Sequence, residues 1–234
     1  MRPGRVAIVS LGCLLLAAGC SSSDGGSSGT GISTVQGNVA STQSAARLPR
    51  RNGTTWLAAV MRLVRLETIV VADSGVGDIT LTADGTGIST KTDSAGNFVL
   101  RGSFGGPFEL AFNRAEDNLA ATLAVSVPKG GTLTLTNLQL DGRSGQVAAD
   151  SRHIEFDGVV VNADCGQGIL TVVSRAAPDD GNRYAVHLGN SAVTDEQGRS
   201  RHCADLGKGS FVHASGELRD DLGYDSESVE LQSD

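Results

Sequence analysis

Four cysteines and four histidines are the side chains of this chain most able to do chemistry. Cys165 and Cys203 stand far apart, with no C-x-x-C spacing between them, so a dithiol redox pair is not indicated. Closing a loop of about 38 residues is worth roughly 3–4 kcal/mol in the chain-entropy model, and a structural disulfide is the expected fate of the pair. The histidines are His153, His187, His202 and His213. A zinc site needs three or four converging ligands, usually in closely spaced pairs. No such pairs exist here, so no metal is expected. No G-x-S-x-G nucleophile string occurs. The carboxylates Asp179, Asp180, Asp220 and Asp221 fall in turn-forming strings, and the spacing of an EF-hand loop is absent. No catalytic residue and no cofactor are expected, and the chain does not read as an enzyme.

The other two cysteines, Cys13 and Cys20, lie near the N-terminus. Arg2 and Arg5 form a positive start, and Val6 to Ala18 is an apolar run too short to span a bilayer comfortably. Small residues Ala17, Ala18 and Gly19 lead to Cys20. The string Leu16-Ala17-Ala18-Gly19-Cys20 resembles the bacterial lipobox, with alanine at 17 where leucine is commoner. The resemblance implies a signal peptide over 1–19 and acyl chains such as palmitate on Cys20. Two or three chains anchor a protein stably, since each buried CH₂ contributes about 0.8 kcal/mol. By the same resemblance to enteric-type lipoproteins, Ser21 in place of aspartate implies the outer membrane. The compartment is then oxidising, which agrees with the disulfide reading. Residues 20–33 are rich in glycine and serine and read as a flexible tether.

The elements that position these groups are strands. The chain has 31 glycines and only 4% aromatics, a mix suited to short strands and tight turns. Alternating segments recur at 34–40, 79–82, 87–92, 97–102, 108–112, 119–127 and 132–140. Five more follow, at 154–161, 168–173, 183–188, 210–218 and 225–231. The last five suit a small closed barrel, with Gly158 and Gly216 where strands bend. A polar stretch at 141–150 reads as a linker. Between the first two strands lie Arg47, Arg50, Arg51, Arg62 and Arg65 with no acid. Residues 54–66 have helical spacing, with Trp56, Leu57, Val60, Leu63 and Val64 on one side. Arg47, Arg50 and Arg51 are candidates for weak contact with an anionic surface.

The order TVQGNVA, GDITLTADG, TKTDSAGNFVLRG and FELAF resembles the carboxypeptidase regulatory-like family over 34–146. The resemblance implies a seven-stranded prealbumin-like β-sandwich, here with a helical insertion, in which Asp93, Gly96 and Phe98 shape a turn and fill the core without catalysis. The string from Asp205 to Leu218 resembles OB-like barrels of bacterial exported proteins, and implies such a barrel over 151–232. The expected class is therefore all-β.

The net charge is −7, and falls to about −9 once Arg2 and Arg5 leave with the signal peptide. An acidic chain is poorly suited to phosphate neutralisation, so no nucleic-acid partner is expected. The expected function is a non-catalytic binding or structural module, lipid-anchored at the outer membrane, with an envelope protein or glycan as partner. The alternative is an accessory subunit of an envelope enzyme or export complex.

Overall fold

A computed structural model describes residues 31–40, 76–116, 118–141 and 144–233. Cys20, Arg47, Arg50, Arg51 and the expected helix over 54–66 lie outside the described residues. The described chain is nearly all β, with fourteen strands joined in one sheet network. The only helical element among the described residues is a single 3₁₀ turn, Cys203–Asp205.

The first seven strands follow the alternation of the sequence. They are β1 (Ser33–Val39), β2 (Thr80–Ala83), β3 (Ile88–Lys91), β4 (Asn97–Gly102), β5 (Gly106–Arg114), β6 (Leu119–Val127) and β7 (Thr132–Asp141). β4 shows the logic: Phe98 and Leu100 point inward, while Asn97, Val99 and Arg101 point out. Its entry turn is closed by Asp93, whose Oδ1 accepts the amides of Ala95 and Asn97 at 2.9 Å each. β1 lies between β4 and β7, antiparallel to the first and parallel to the second. β3, β2, β5 and β6 form an antiparallel set. Phe98 of β4 meets Phe112 of β5 edge-on at 6.4 Å, so the two sets share one apolar core. Each buried side chain of this size contributes about 1.5–3 kcal/mol.

The stretch 141–150 is not a bare linker. It carries β8 (Gln146–Ala148), paired with β7 and β6, because Val147 packs against the core. β9 (Ser151–Asp164) then pairs with β7, from Thr132↔Glu155 to Thr136↔Ser151. The sheet therefore runs without a break from the first half of the chain into the second.

The second half contains β10 (Ile169–Ser174), β11 (Tyr184–His187), β12 (Ala192–Asp195), β13 (Phe211–Leu218) and β14 (Tyr224–Gln232). Its pairings close on themselves: β9 with β10, β10 with β11, β11 with β14, β14 with β13, and β13 with β9. The ring fills with Ile154, Phe156, Val160, Leu170, Val172, Val212 and Val229. β12 lies outside the ring and pairs in parallel with β14. Sequence reading missed it, because four residues among turn formers give too short an alternation.

β12 is pinned by Asp195, which is nearly buried. Its Oδ1 accepts the Gln197 and Arg199 amides at 3.0 and 2.9 Å. Its Oδ2 accepts Arg199 Nε at 2.7 Å and Arg201 Nη2 at 2.8 Å. Burial pushes this carboxyl up, but the Arg199 amide and the two guanidiniums outweigh it and hold it at about 2. A carboxyl depressed on folding stabilises above its unfolded value of about 3.8 and loses that contribution as pH falls toward about 2. Thermal melts of the wild type and Asp195→Asn should therefore differ most above that window and converge as pH falls through it. A constant gap at all pH would refute the role given to the carboxylate.

Candidate functional site

The two halves meet at a cleft of about 310 Å³. Pro107 of β5 and Ser126 of β6 form one wall. Asn182, Arg183, Tyr184 and His187 of the strand region around β11 form the other, and Asp221, Leu222 and Gly223 of the β13–β14 turn close the end. The approach is tight. Gly106 has φ +83°, and a Cβ there would come within 2.9 Å of Asn182 Oδ1. Only glycine holds that conformation without strain.

Beneath the cleft, Phe156, Tyr184 and Tyr224 pack ring against ring, with centroids 5.5–6.0 Å apart. The two tyrosines differ in one respect. The Tyr224 hydroxyl donates to Ser126 Oγ at 3.1 Å and so ties the ring to β6. The Tyr184 hydroxyl is buried, and its proton meets no acceptor within hydrogen-bond distance among the described residues. Burial, then the charge of Asp180, pushes its pKa up to about 12, while the Gly106 amide, which donates toward the phenol oxygen, acts in the opposite direction. A buried hydroxyl without a partner costs about 1–3 kcal/mol, and each such group in a folded protein calls for an explanation.

The polar groups of the rim are held by short-range contacts. Asp180 accepts the Asn182 amide at 2.8 Å and Asn182 Nδ2 at 3.0 Å, which fixes the asparagine. Asp221 accepts the Gly223 amide at 3.0 Å and Arg219 Nε at 3.1 Å, and these contacts, with His187 nearby, hold its carboxyl below its usual value. Arg183 has no ion pair among the described residues. The rim thus offers a cation, an amide and an imidazole, with the Tyr184 ring and its buried hydroxyl beneath them. That set suits a neutral or anionic ligand rich in hydroxyls.

The residues singled out by sequence are scattered. Cys165, in the β9–β10 turn, is bonded to Cys203 in the 3₁₀ turn, with Cα atoms 5.7 Å apart. This bond lies away from the cleft. Only His187 of the four histidines lines the cleft. His213 is on a strand as expected, where its Nδ1 pairs with Asp157 at 2.8 Å. The Asp157 hydrogen bond raises the pKa of this imidazole against the opposing effect of burial. His202 precedes the 3₁₀ turn, and its amide donates to Asp205. His153 lies on the outer face of β9 beside Glu155. Asp220 pairs with Arg152. Sequence reading missed Asn182, Ser126 and Pro107 as partners in one site. Their separation along the chain left no local signal. The chain matches no family model, and it matches no curated protein.

Proposed function

We propose that this chain is a non-catalytic binding module of the bacterial envelope, lipid-anchored through Cys20 at the outer membrane, whose ligand is an envelope glycan seated in the cleft. The observation that carries the reading is the Tyr184 hydroxyl, buried at the cleft between the two halves with no acceptor for its proton among the described residues. A ligand oxygen that accepts its proton would relieve the cost.

The architecture supports the finer reading. Strands β1 to β7 number seven and share a core, in keeping with a prealbumin-like sandwich over 34–146. The closed ring runs β9–β10–β11–β14–β13, with β11 and β14 parallel, in keeping with an OB-like barrel over 151–232. Ligands of OB barrels gather on the face of the second and third strands and on the loops after the first and fourth. In this ring those are β10, β11 and the turns near 165–168 and 219–223. The cleft is bounded by β11 and residues 221–223. Such barrels take oligonucleotides or oligosaccharides, and a net charge of −7 favours the sugar.

Calorimetric titration of the full mature chain with peptidoglycan disaccharide-peptides and lipopolysaccharide core oligosaccharide tests this. One of them should bind, and Tyr184→Phe should weaken it at least about tenfold while raising stability by about 1 kcal/mol. Loss of labelled palmitate from Cys20→Ala, with release from membranes, tests the anchor separately. Neither sugar binding, or equal binding by Tyr184→Phe, would overturn the cleft reading.

A further inference from the structure

We propose that His153, Glu217 and Glu227 form a binding site for a divalent transition-metal ion of the zinc type, on the outer face of the ring and away from the cleft. Three neighbouring strands, β9, β13 and β14, bring these residues together. His153 on β9 is the direct register partner of Glu217 on β13. Alternation turns both outward, with Ile154 and Leu218 inward beside them. Glu227 arrives by a different route. Ser215 pairs with Ser228 and Gly216 with Ser226, so Glu227 is the extra residue of a β-bulge. A bulge re-aims the side chain it carries, and this one sends Glu227 to the outer face.

The donor atoms converge. His153 Nδ1 lies 3.9 Å from Glu217 Oε1 and 3.8 Å from Glu227 Oε2, and the three donors fall within 4.8 Å of one another. Zinc binds nitrogen and oxygen at about 2.0–2.2 Å, which places neighbouring tetrahedral ligands roughly 3.4 Å apart. The two His153 distances exceed this by about 0.5 Å, and the two carboxylates need to approach by up to about 1.4 Å, a movement that their half-exposed side chains can make. The fourth position is left to water.

The surroundings orient these ligands. Glu217 Oε1 accepts Ser151 Oγ at 2.7 Å and its Oε2 accepts the Arg152 amide at 2.8 Å, so the carboxylate is held in place. His153 Nε2 lies 3.3 Å from Glu155 Oε1. Donation from Nε2–H to Glu155 leaves the Nδ1 lone pair facing Glu217 and Glu227. Metal-binding histidines are commonly oriented by such an outer carboxylate.

Charge points the same way. Three carboxylates surround one imidazole, and no lysine or arginine among the described residues pairs with any of them. Arg152 goes to Asp220, and Arg219 goes to Asp221 and Asp225. A divalent cation supplies the missing charge, and imidazole with carboxylates is a donor set suited to zinc.

The test is calorimetric titration of the full mature chain, made without a histidine tag, with zinc ion alone at pH 7.5. One ion per chain should bind. His153→Gln and Glu227→Gln should each lower affinity at least about tenfold, while Glu230→Gln, on the same strand outside the cluster, should leave it unchanged. Circular dichroism of each variant checks that the fold is kept. No zinc uptake, the result if a proton on His153 alone balances the cluster, overturns the proposal. So does equal affinity in the wild type and the His153 and Glu227 variants.

Discussion

Replacing Cys165 and Cys203 together by serine should lower the unfolding free energy by roughly 3–4 kcal/mol, the largest effect expected of any surface change. The bond spans 38 residues. Between its ends the chain builds β10, β11 and the outlying β12. The 3₁₀ turn that carries Cys203 is followed by Leu206, which is fully buried. Among the described residues the backbone bonds of the turn are local, Asp205 to His202 and Leu206 to Cys203. Without the crosslink, the unfolded chain regains the freedom of the loop, and the folded turn is free to lift Leu206 from the core. Urea denaturation of the wild type and the double variant measures the difference. A loss below about 1 kcal/mol would show that the ring closes without the bond.

Gly216→Ala should cost about 3 kcal/mol, toward the upper end of overpacking effects. A methyl group at 216 would overlap the carbonyl oxygen of Asp225 and lie 2.7 Å from Ser226 Cα. Both obstacles are backbone, so no side chain can swing away. β13 and β14 would have to part at the bulge, where Tyr224 and Val229 anchor the core on either side. Thermal melts of the single variant give the number, and Gly207→Ala, where the added methyl meets nothing within 4 Å, is the control. A Gly216→Ala protein that melts with the wild type would mean the bulge is not packed as described.

The strands were largely legible because each carries its own evidence. β4 and β13 alternate cleanly, and Gly96 and Gly130 mark turns that require positive φ. What joins the strands was not legible. β8 hides in a polar stretch because one valine carries its burial, and the pairing of β7 with β9 depends on register between distant segments. The cleft is of that kind: Pro107, Ser126 and Asn182 have no reason to be read together until the seam places them so. The grouping of His153 with carboxylates was not legible for a related reason. His153 and Glu155 can be read on one face from their spacing alone. Glu217 joins them only through strand pairing, and Glu227 only through a bulge that no pattern in the sequence announces.

The parallel pairing of β1 with β7 has a mechanical consequence. β1 is gripped along its length by β4 on one side and β7 on the other, and β7 is itself bonded to β9. A pull directed along the chain from the N-terminal side of Ser33 loads those ladders in shear. Many hydrogen bonds then share the force at once, whereas a hairpin pulled apart at its open end yields one bond at a time. Tension entering at β1 would pass through the β7 ladder into β9 and the ring.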